Sequence, residues 1–302
     1  MKVLLASSSL LAIHPLRALL ESKHELVGVV TMPDAPQGRG RAMMENEFAI
    51  ESQVCGLKVY KPANSDELFD LLTETEVDLV VTIAYGRLIR SRELNKPKHG
   101  WLNIHFSLLP RWRGAAPAQR AIEAGDRKSG VTVFRLDEGL DTGPIYAQVE
   151  YVMRGEEDSS TLLAQLSQLS VLPLKTALEM ISEGNEPVTQ STIGVTHAPK
   201  LSKAEGRIDW NLQASIIERK IRAFSPWPVT WTELEGQRIS IMKAKLNDEL
   251  LQPGHVLMDE RLIVGCGERS LEILSLKPEG KREMSATEWL RGARLSPHAR
   301  FE

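Results

Sequence analysis

The feature that most limits what this chain can become is a series of short, almost unbroken apolar runs separated by helical stretches. Val77-Asp78-Leu79-Val80-Val81-Thr82-Ile83-Ala84 is the clearest of them. A strand that is apolar at successive positions shows apolar side chains on both faces, so both must be covered. Comparable runs occupy 3–6, 26–31, 101–105 and 131–136, and helical stretches near 42–55, 65–75, 115–125 and 159–184 lie between or beyond them. This alternation predicts an α/β fold, a Rossmann-like, doubly wound and mostly parallel sheet. Ligands of such sheets bind beyond the carboxyl ends of the strands, which directs attention to the loops after residues 84, 105 and 136.

The pattern then changes. Gly, Pro, Ser and Thr interrupt the periodicity between 184 and 203, one helix follows at 212–223, and short runs recur at 229–234, 238–246, 254–258, 262–266 and 271–277. Glu235-Gly236 joins the first two of these runs as a hairpin turn. Five short strands predict a small OB-like β-barrel. The 302 residues are thus expected to form a first domain over 1–186, a linker over 187–206 and a second domain over 207–302. Residues 1–199 carry a net charge of −5 and residues 200–302 a net charge of +2, so the second domain is the better suited to a polyanion.

Several classes of function drop out. Two cysteines, Cys55 and Cys266, can make neither a disulfide framework nor a Cys-rich zinc site, and His14, His24, His99, His197, His255 and His298 stand without carboxylates at metal-ligand spacing. No metal is therefore expected. Neither a G-x-G-x-x-G after the first strand nor a G-x-x-x-x-G-K-[ST] occurs, which argues against dinucleotides and nucleoside triphosphates. No apolar run reaches the roughly 18 residues that span a membrane. The start, MKVLLASSSLLAIHPL, imitates a secretory signal, but Ser7, Ser8 and Ser9 break its apolar run; it reads as a strand, a Ser-rich turn and a helix. A cytoplasmic protein with reduced thiols, acting as a monomer, is expected.

Asn103-Ile104-His105-Phe106-Ser107-Leu108-Leu109-Pro110 closes one of the buried strands. Side chains alternate along a strand, so an amide and an imidazole point to one face there, about 7 Å apart. The loop Asp137-Glu138-Gly139-Leu140-Asp141-Thr142-Gly143 follows another strand end and can bring a carboxylate to the same spot. Amide, imidazole and carboxylate without a Ser or Cys nucleophile suit direct acyl transfer. Spacing alone equally fits polar side chains that merely satisfy neighbouring backbone groups, and Asp-x-Gly loops are common turns.

Asn103-x-His105-x-Ser107-Leu108-Leu109-Pro110-x-x-Arg113-Gly114, followed by Leu136-Asp137-Glu138-Gly139-Leu140-Asp141-Thr142-Gly143, resembles the signature of the 10-formyltetrahydrofolate-dependent formyltransferases. Ala84-Tyr85-Gly86, Lys200-Leu201-Ser202-Lys203, Arg207-Ile208-Asp209-Trp210 and Ile221-Arg222-Ala223-Phe224-x-Pro226-Trp227-Pro228 extend the likeness over nearly the whole chain, and towards members that formylate methionyl-tRNA. The resemblance implies 10-formyltetrahydrofolate as co-substrate, initiator methionyl-tRNA as acceptor, and Asn103, His105 and Asp141 as catalytic residues. It also implies that Ser107, Leu108, Leu109 and Pro110 embrace the folate together with Tyr85, Gly86, Arg87, Leu88 and Leu140. Arg39 and Arg41 of the Gly38-Arg39-Gly40-Arg41 loop, with Lys200 and Lys203, would meet the tRNA, and Lys243 and Lys245 would add phosphate contacts. Formylation of an amino-sugar nucleotide and non-catalytic RNA binding are the alternatives.

Two departures from the family pattern stand out. Ser7-Ser8-Ser9 replaces the usual Gly-Thr-Pro, and without that glycine the turn does not readily reach a positive φ. Phe106 stands where many relatives have Gly, and its ring is expected to point away from Asn103 and His105 into the core.

Overall fold

The computed structural model describes residues 1–37, 41–293 and 299–302. They divide into two compact units, the first made of Met1–Pro117, Lys128–Val152 and Leu163–Ala198, the second of Ala118–Arg127, Met153–Leu162 and Pro199–Glu302.

The first unit is built on β1 (Lys2–Ala6), α1 (Ile13–Leu20), β2 (Glu25–Val30), α2 (Glu47–Val54), β3 (Val59–Tyr60), α3 (Ser65–Glu74), β4 (Leu79–Thr82) and β5 (Trp101–His105). In chain order there follow α4 (Pro117–Ala124), which belongs to the second unit from Ala118 on, β6 (Lys128–Arg135), β7 (Ile145–Val152), α5 (Ser159–Leu169), which belongs to the first unit from Leu163 on, and α6 (Val171–Glu183). The sheet order is β7-β6-β5-β4-β1-β2-β3. From β3 to β5 every pairing is parallel, and β6 and β7 add an antiparallel edge. Leu4, Val30, Val80 and Trp101 are fully buried, as continuous apolar runs require.

Two elements differ from the sequence expectation. The single helix expected over 159–184 is two helices, because Pro173 has no N–H to offer the carbonyl of Leu169, and the chain breaks at Ser170. The strand β7 is not among the apolar runs. It is an edge strand carrying Gln148 and Glu150 among its apolar residues, a pattern weaker than that of its buried neighbours. The Ser7–Ser9 turn does without a positive φ. Its hydroxyls replace the glycine: Ser7 Oγ accepts from Ser9 N, Ser9 Oγ from Leu11 N, and Ser8 Oγ from Met32 N at 3.1 Å, while Ser8 Oγ donates to Tyr85 O at 3.2 Å.

The second unit contains α7 (Ala214–Ala223), β8 (Thr230–Leu234), β9 (Gln237–Asn247), β10 (Val256–Met258), β11 (Leu262–Gly265), β12 (Ser270–Pro278), β13 (Met284–Ser285) and α8 (Ala286–Gly292). Its strand order is β8-β9-β12-β11-β10, with β13 on β12. Glu235 and Gly236, at φ of 50° and 76°, make the tight turn between β8 and β9. No pairing of named strands joins β8 to β10 among the described residues, so the sheet is open where a closed OB-like barrel is expected from the sequence. The last residues bridge part of that opening: Phe301 pairs with Leu234, Arg300 pairs with His255, and Phe301 N donates to Gly254 O at 2.9 Å. The Phe301 ring stacks on Trp210 at 5.7 Å, and Trp210 Nε1 donates to the buried Thr232 hydroxyl, which donates to Glu302 O. Among the described residues no helix is long and apolar enough to cross a membrane.

Candidate active site

β5 is the central pier of the site. It lies between β4 and β6 with Asn103 opposite Thr82 on one side and Phe134 on the other, and His105 opposite Thr132. Asn103 and His105 share a face, as the alternation predicts. Asn103 is half-buried, and its amide has no hydrogen-bond partner among the described residues. His105 is 5% exposed, and its ring meets Phe134 edge-on at 6.4 Å.

The two nitrogens of His105 face different groups. Nε2 lies 2.8 Å from the carbonyl oxygen of Trp112, which can only accept, so Nε2 carries the proton. Nδ1 is then the acceptor of the neutral ring, and it faces Asp141 Oδ2 at 3.7 Å. Burial holds the imidazole below its ordinary value of 6.5, against smaller opposing effects of the Asp141 charge and the Trp112 carbonyl. Burial therefore favours the neutral imidazole beside the Asp141 side chain. Asp141 is in turn oriented by the Gly114 N–H, which donates to the same Oδ2 at 2.7 Å.

The backbone around this pair takes conformations that most residues avoid. Ala84, Trp112 and Asp141 have φ of 47°, 65° and 53° in the loops that follow β4, β5 and β6. Each such residue costs about 1 to 2 kcal/mol relative to ordinary backbone. Gly143 shows why the loop needs glycine: a Cβ there would lie 1.8 Å from Arg135 O.

The residues expected to embrace a folate divide by exposure. Leu88 is 84% and Leu140 61% exposed, so neither is core, and both stand at loop tips beyond strand ends. Leu109 is buried, and Leu108 packs over Gly130, where any Cβ would fall 2.5 Å from its Cδ2. Ser107 donates to Arg111 O, closing the turn that contains the cis peptide Leu109-Pro110. Tyr85 is buried with no partner for its hydroxyl among the described residues, and burial pushes its phenol up to about 12. Gly86, at φ of 84°, turns the chain outward. Arg87 faces its own unit: its guanidinium donates to the carbonyls of Pro62, Ala63 and Asn64. Phe106 is buried. A separate cavity of about 630 Å³ lies at the amino end of β5, lined by His99, Gly100, Leu136, Asp137 and Glu138 among others, and none of Asn103, His105, Asp141 or the residues expected to embrace the folate is in its wall.

Of the residues expected to meet tRNA, Arg39 lies outside the described residues and Arg41 is exposed at φ of 48°. Lys200 and Lys203 are exposed in the second unit, as are Arg207 and Arg238. The guanidiniums of Arg238 and Arg207 lie 4.0 Å and 5.6 Å from the ring centre of Trp231. Lys245 is engaged by Glu272 at 3.1 Å. No group of three or more His, Cys, Asp or Glu side chains that could hold a metal ion occurs among the described residues.

The groups that aim His105 and Asp141 left no signal in the sequence. The Trp112 carbonyl and the Gly114 N–H are backbone, though Arg113-Gly114 lies within the recognised motif. Thr132 and Gln148 also escaped notice. Thr132 Oγ1 accepts from Leu109 N at 3.1 Å and from Gln148 Nε2 at 2.8 Å, and donates to Ser107 O at 2.7 Å, pinning the 107–109 turn.

The formyl transferase family matches residues 1–177, and the formyl transferase C-terminal domain matches residues 200–294. Among solved structures, HypX from Aquifex aeolicus in complex with tetrahydrofolic acid has a TM-score of 0.69 at 21% identity, covering 96% of this chain and 47% of its own. This chain thus spans about half the length of the HypX chain. An N-formyltransferase from Helicobacter canadensis, in complex with folinic acid and dTDP-3-aminofucose, has a TM-score of 0.67 at 19% identity, covering 90% of this chain and 98% of its own. The methionyl-tRNA formyltransferase from Clostridium thermocellum has a TM-score of 0.57 at 16% identity, covering 88% and 100%. At these identities the likeness to solved structures is one of fold. Formyltetrahydrofolate is the co-substrate of the family. From its match over 1–177 and 200–294, the chain belongs to the formyl transferase family.

Proposed function

We propose that the chain moves the formyl group of 10-formyltetrahydrofolate onto the free α-amine of initiator methionyl-tRNA, giving N-formylmethionyl-tRNA. The observation that carries the chemistry is the neutral His105, with Nε2 committed to the Trp112 carbonyl, Nδ1 open as an acceptor beside Asp141, and an unpartnered Asn103 amide on the same face.

The folate supplies the formyl carbon; Leu88 and Leu140, exposed at the loop tips, would form apolar walls for its pterin. An α-amine has a pKa of about 8 and attacks only when neutral, so a base beside it raises the reactive fraction near neutrality. His105 Nδ1 takes the proton that the amine sheds on attack. Asp141 stabilises the imidazolium so formed, and the Asn103 amide donates to the oxygen of the formyl group as it gains negative charge; collapse of this adduct breaks the bond from the formyl carbon to N10, which leaves as tetrahydrofolate with the proton returned by the imidazolium. The reaction needs no nucleophile from the protein.

The acceptor is inferred from the motif likeness, from the excess of basic residues over 200–302 and from the guanidiniums gathered on Trp231, which suit a phosphate backbone. A second acceptor, an amino-sugar nucleotide, is favoured by one observation: the Helicobacter enzyme co-crystallised with dTDP-3-aminofucose aligns with a higher TM-score than the Clostridium enzyme. Incubation with 10-formyltetrahydrofolate and, in parallel, methionyl-tRNA or a nucleotide-linked amino sugar separates the two. Blockage of the methionyl nitrogen is the expected result, and transfer to the sugar alone would replace the first acceptor by the second.

A further inference from the structure

The carboxylate of Asp141 is fixed by the Gly114 N–H, but its main chain is held by a side chain from far along the sequence. Gln190 Nε2 donates to Asp141 O at 2.9 Å and to Gly143 O at 2.7 Å. Its Oε1 accepts from Arg113, at 2.7 Å from Nη2 and 3.3 Å from Nε. The amide is 7% exposed and uses both of its donors and its acceptor. The segment that follows continues the same task. Thr196 Oγ1 accepts from Trp112 N, Thr196 O accepts from Arg113 N, and His197–Ala198 runs parallel to Arg113–Gly114. Residues 112–114 are those whose carbonyl and N–H aim His105 and Asp141, so one stretch of chain sets the place of both. This support offsets the cost of the Asp141 backbone, whose φ of 53° lies in the left-handed region that most residues avoid.

We propose that Gln190 is a positioning residue for the proton-handling pair, fixing the Asp141 backbone directly and the segment behind His105 through Arg113. The inference rests on the reading of His105 and Asp141 given above. Glutamine does not titrate, and Gln190 bonds the Asp141 main chain rather than its carboxylate, so its influence on the reaction is one of place.

Two substitutions test it, each measured at saturating donor and with whichever acceptor the parent formylates. Gln190→Glu keeps an acceptor for Arg113 and removes both donations; Gln190→Met removes all of its hydrogen bonds. A thermal melt shows which variants are folded, and Gln190→Glu decides the matter if Gln190→Met is not. The expected loss in kcat is about a hundredfold, the effect of displacing a reacting group by about 1 Å. In an Asp141→Asn background Gln190→Glu, which leaves the Arg113 contact in place, should cost less than about a further twofold, because it acts through the same carboxylate. The acid limb of the kcat profile in Gln190→Met should also move to lower pH, the direction expected when the Asp141 charge is removed. A folded Gln190→Glu variant with near-parental kcat, or a Gln190→Glu loss that multiplies with Asp141→Asn, overturns the proposal. Parental kcat in Asp141→Asn alone would instead remove Asp141 from the reaction, a separate failure.

Discussion

Each unit of this molecule has a fully buried threonine whose hydroxyl receives one or more N–H groups and gives its proton to a carbonyl, yet the two serve opposite ends. Thr132 lies opposite His105 and pins the 107–109 turn above the sheet, so its bonds hold open a polar site at the strand ends. Thr232 receives the Trp210 indole and donates to Glu302, so its bonds tie shut the edge of an apolar core. One sheet uses buried polarity to shape a surface for chemistry, the other to hold itself together. The lesson is that a buried hydroxyl is informative only with its partners: turn residues in the first case, core and chain-end residues in the second.

The contrast can be broken at either unit. The largest expected effect is Phe301→Ala, which empties a ring stacked on Trp210 and should cost about 3 to 5 kcal/mol in denaturant unfolding, with the chemical step unchanged in folded protein. A parallel loss in turnover of the folded fraction would show that the two roles are not separable. Next come Asn103→Ala and His105→Ala, each expected to lower kcat by about 100- to 1,000-fold with the melt preserved. Near-normal turnover in either would withdraw that residue from the mechanism. Arg238→Ala is smaller: RNA affinity should weaken by a few-fold, about 0.5 to 1 kcal/mol for a guanidinium on an exposed ring, and the dependence of log K on log salt should lose a slope of about one. An unchanged slope would take this surface out of phosphate binding.

The smallest effect is on pH dependence. Since burial lowers the His105 value from 6.5, the folded protein takes up its proton less readily than the unfolded chain. Its contribution to stability is therefore complete above 6.5 and declines as the pH falls below it. The acid limb of kcat should have its inflection below 6.5, and Asp141→Asn should shift it lower still, because the lost charge was raising the value. An inflection that stays put in Asp141→Asn would mean that the carboxylate is not sensed by the imidazole.

The parallel half of the first sheet was legible because buried strands announce themselves as runs such as Val77 to Ala84. The hairpin at Glu235-Gly236 was legible because few residue pairs tolerate two positive φ values. The strand β7 was not, since its alternation of Gln148 and Glu150 with apolar residues is also what an exposed loop can show. The break at Ser170 could have been read from Pro173, but the apolar spacing of Leu162, Leu166, Leu174 and Leu178 masked it. Asn103 and His105 could be placed on one face by counting, whereas the Trp112 carbonyl that fixes the tautomer belongs to no side chain. Gln190 had no signal at all: a single amide in a stretch rich in Ser and Thr becomes meaningful only when the chain brings it to Asp141.

The Ser8 hydroxyl has one oxygen and three appointments, with Thr31, Met32 and Tyr85. The loops that leave β1, β2 and β4 are therefore knotted at a single atom, and none can be re-cut without tugging on the other two. An engineer wishing to widen the mouth of this enzyme would do better to lengthen all three together, leaving the knot in place, than to graft any one of them alone.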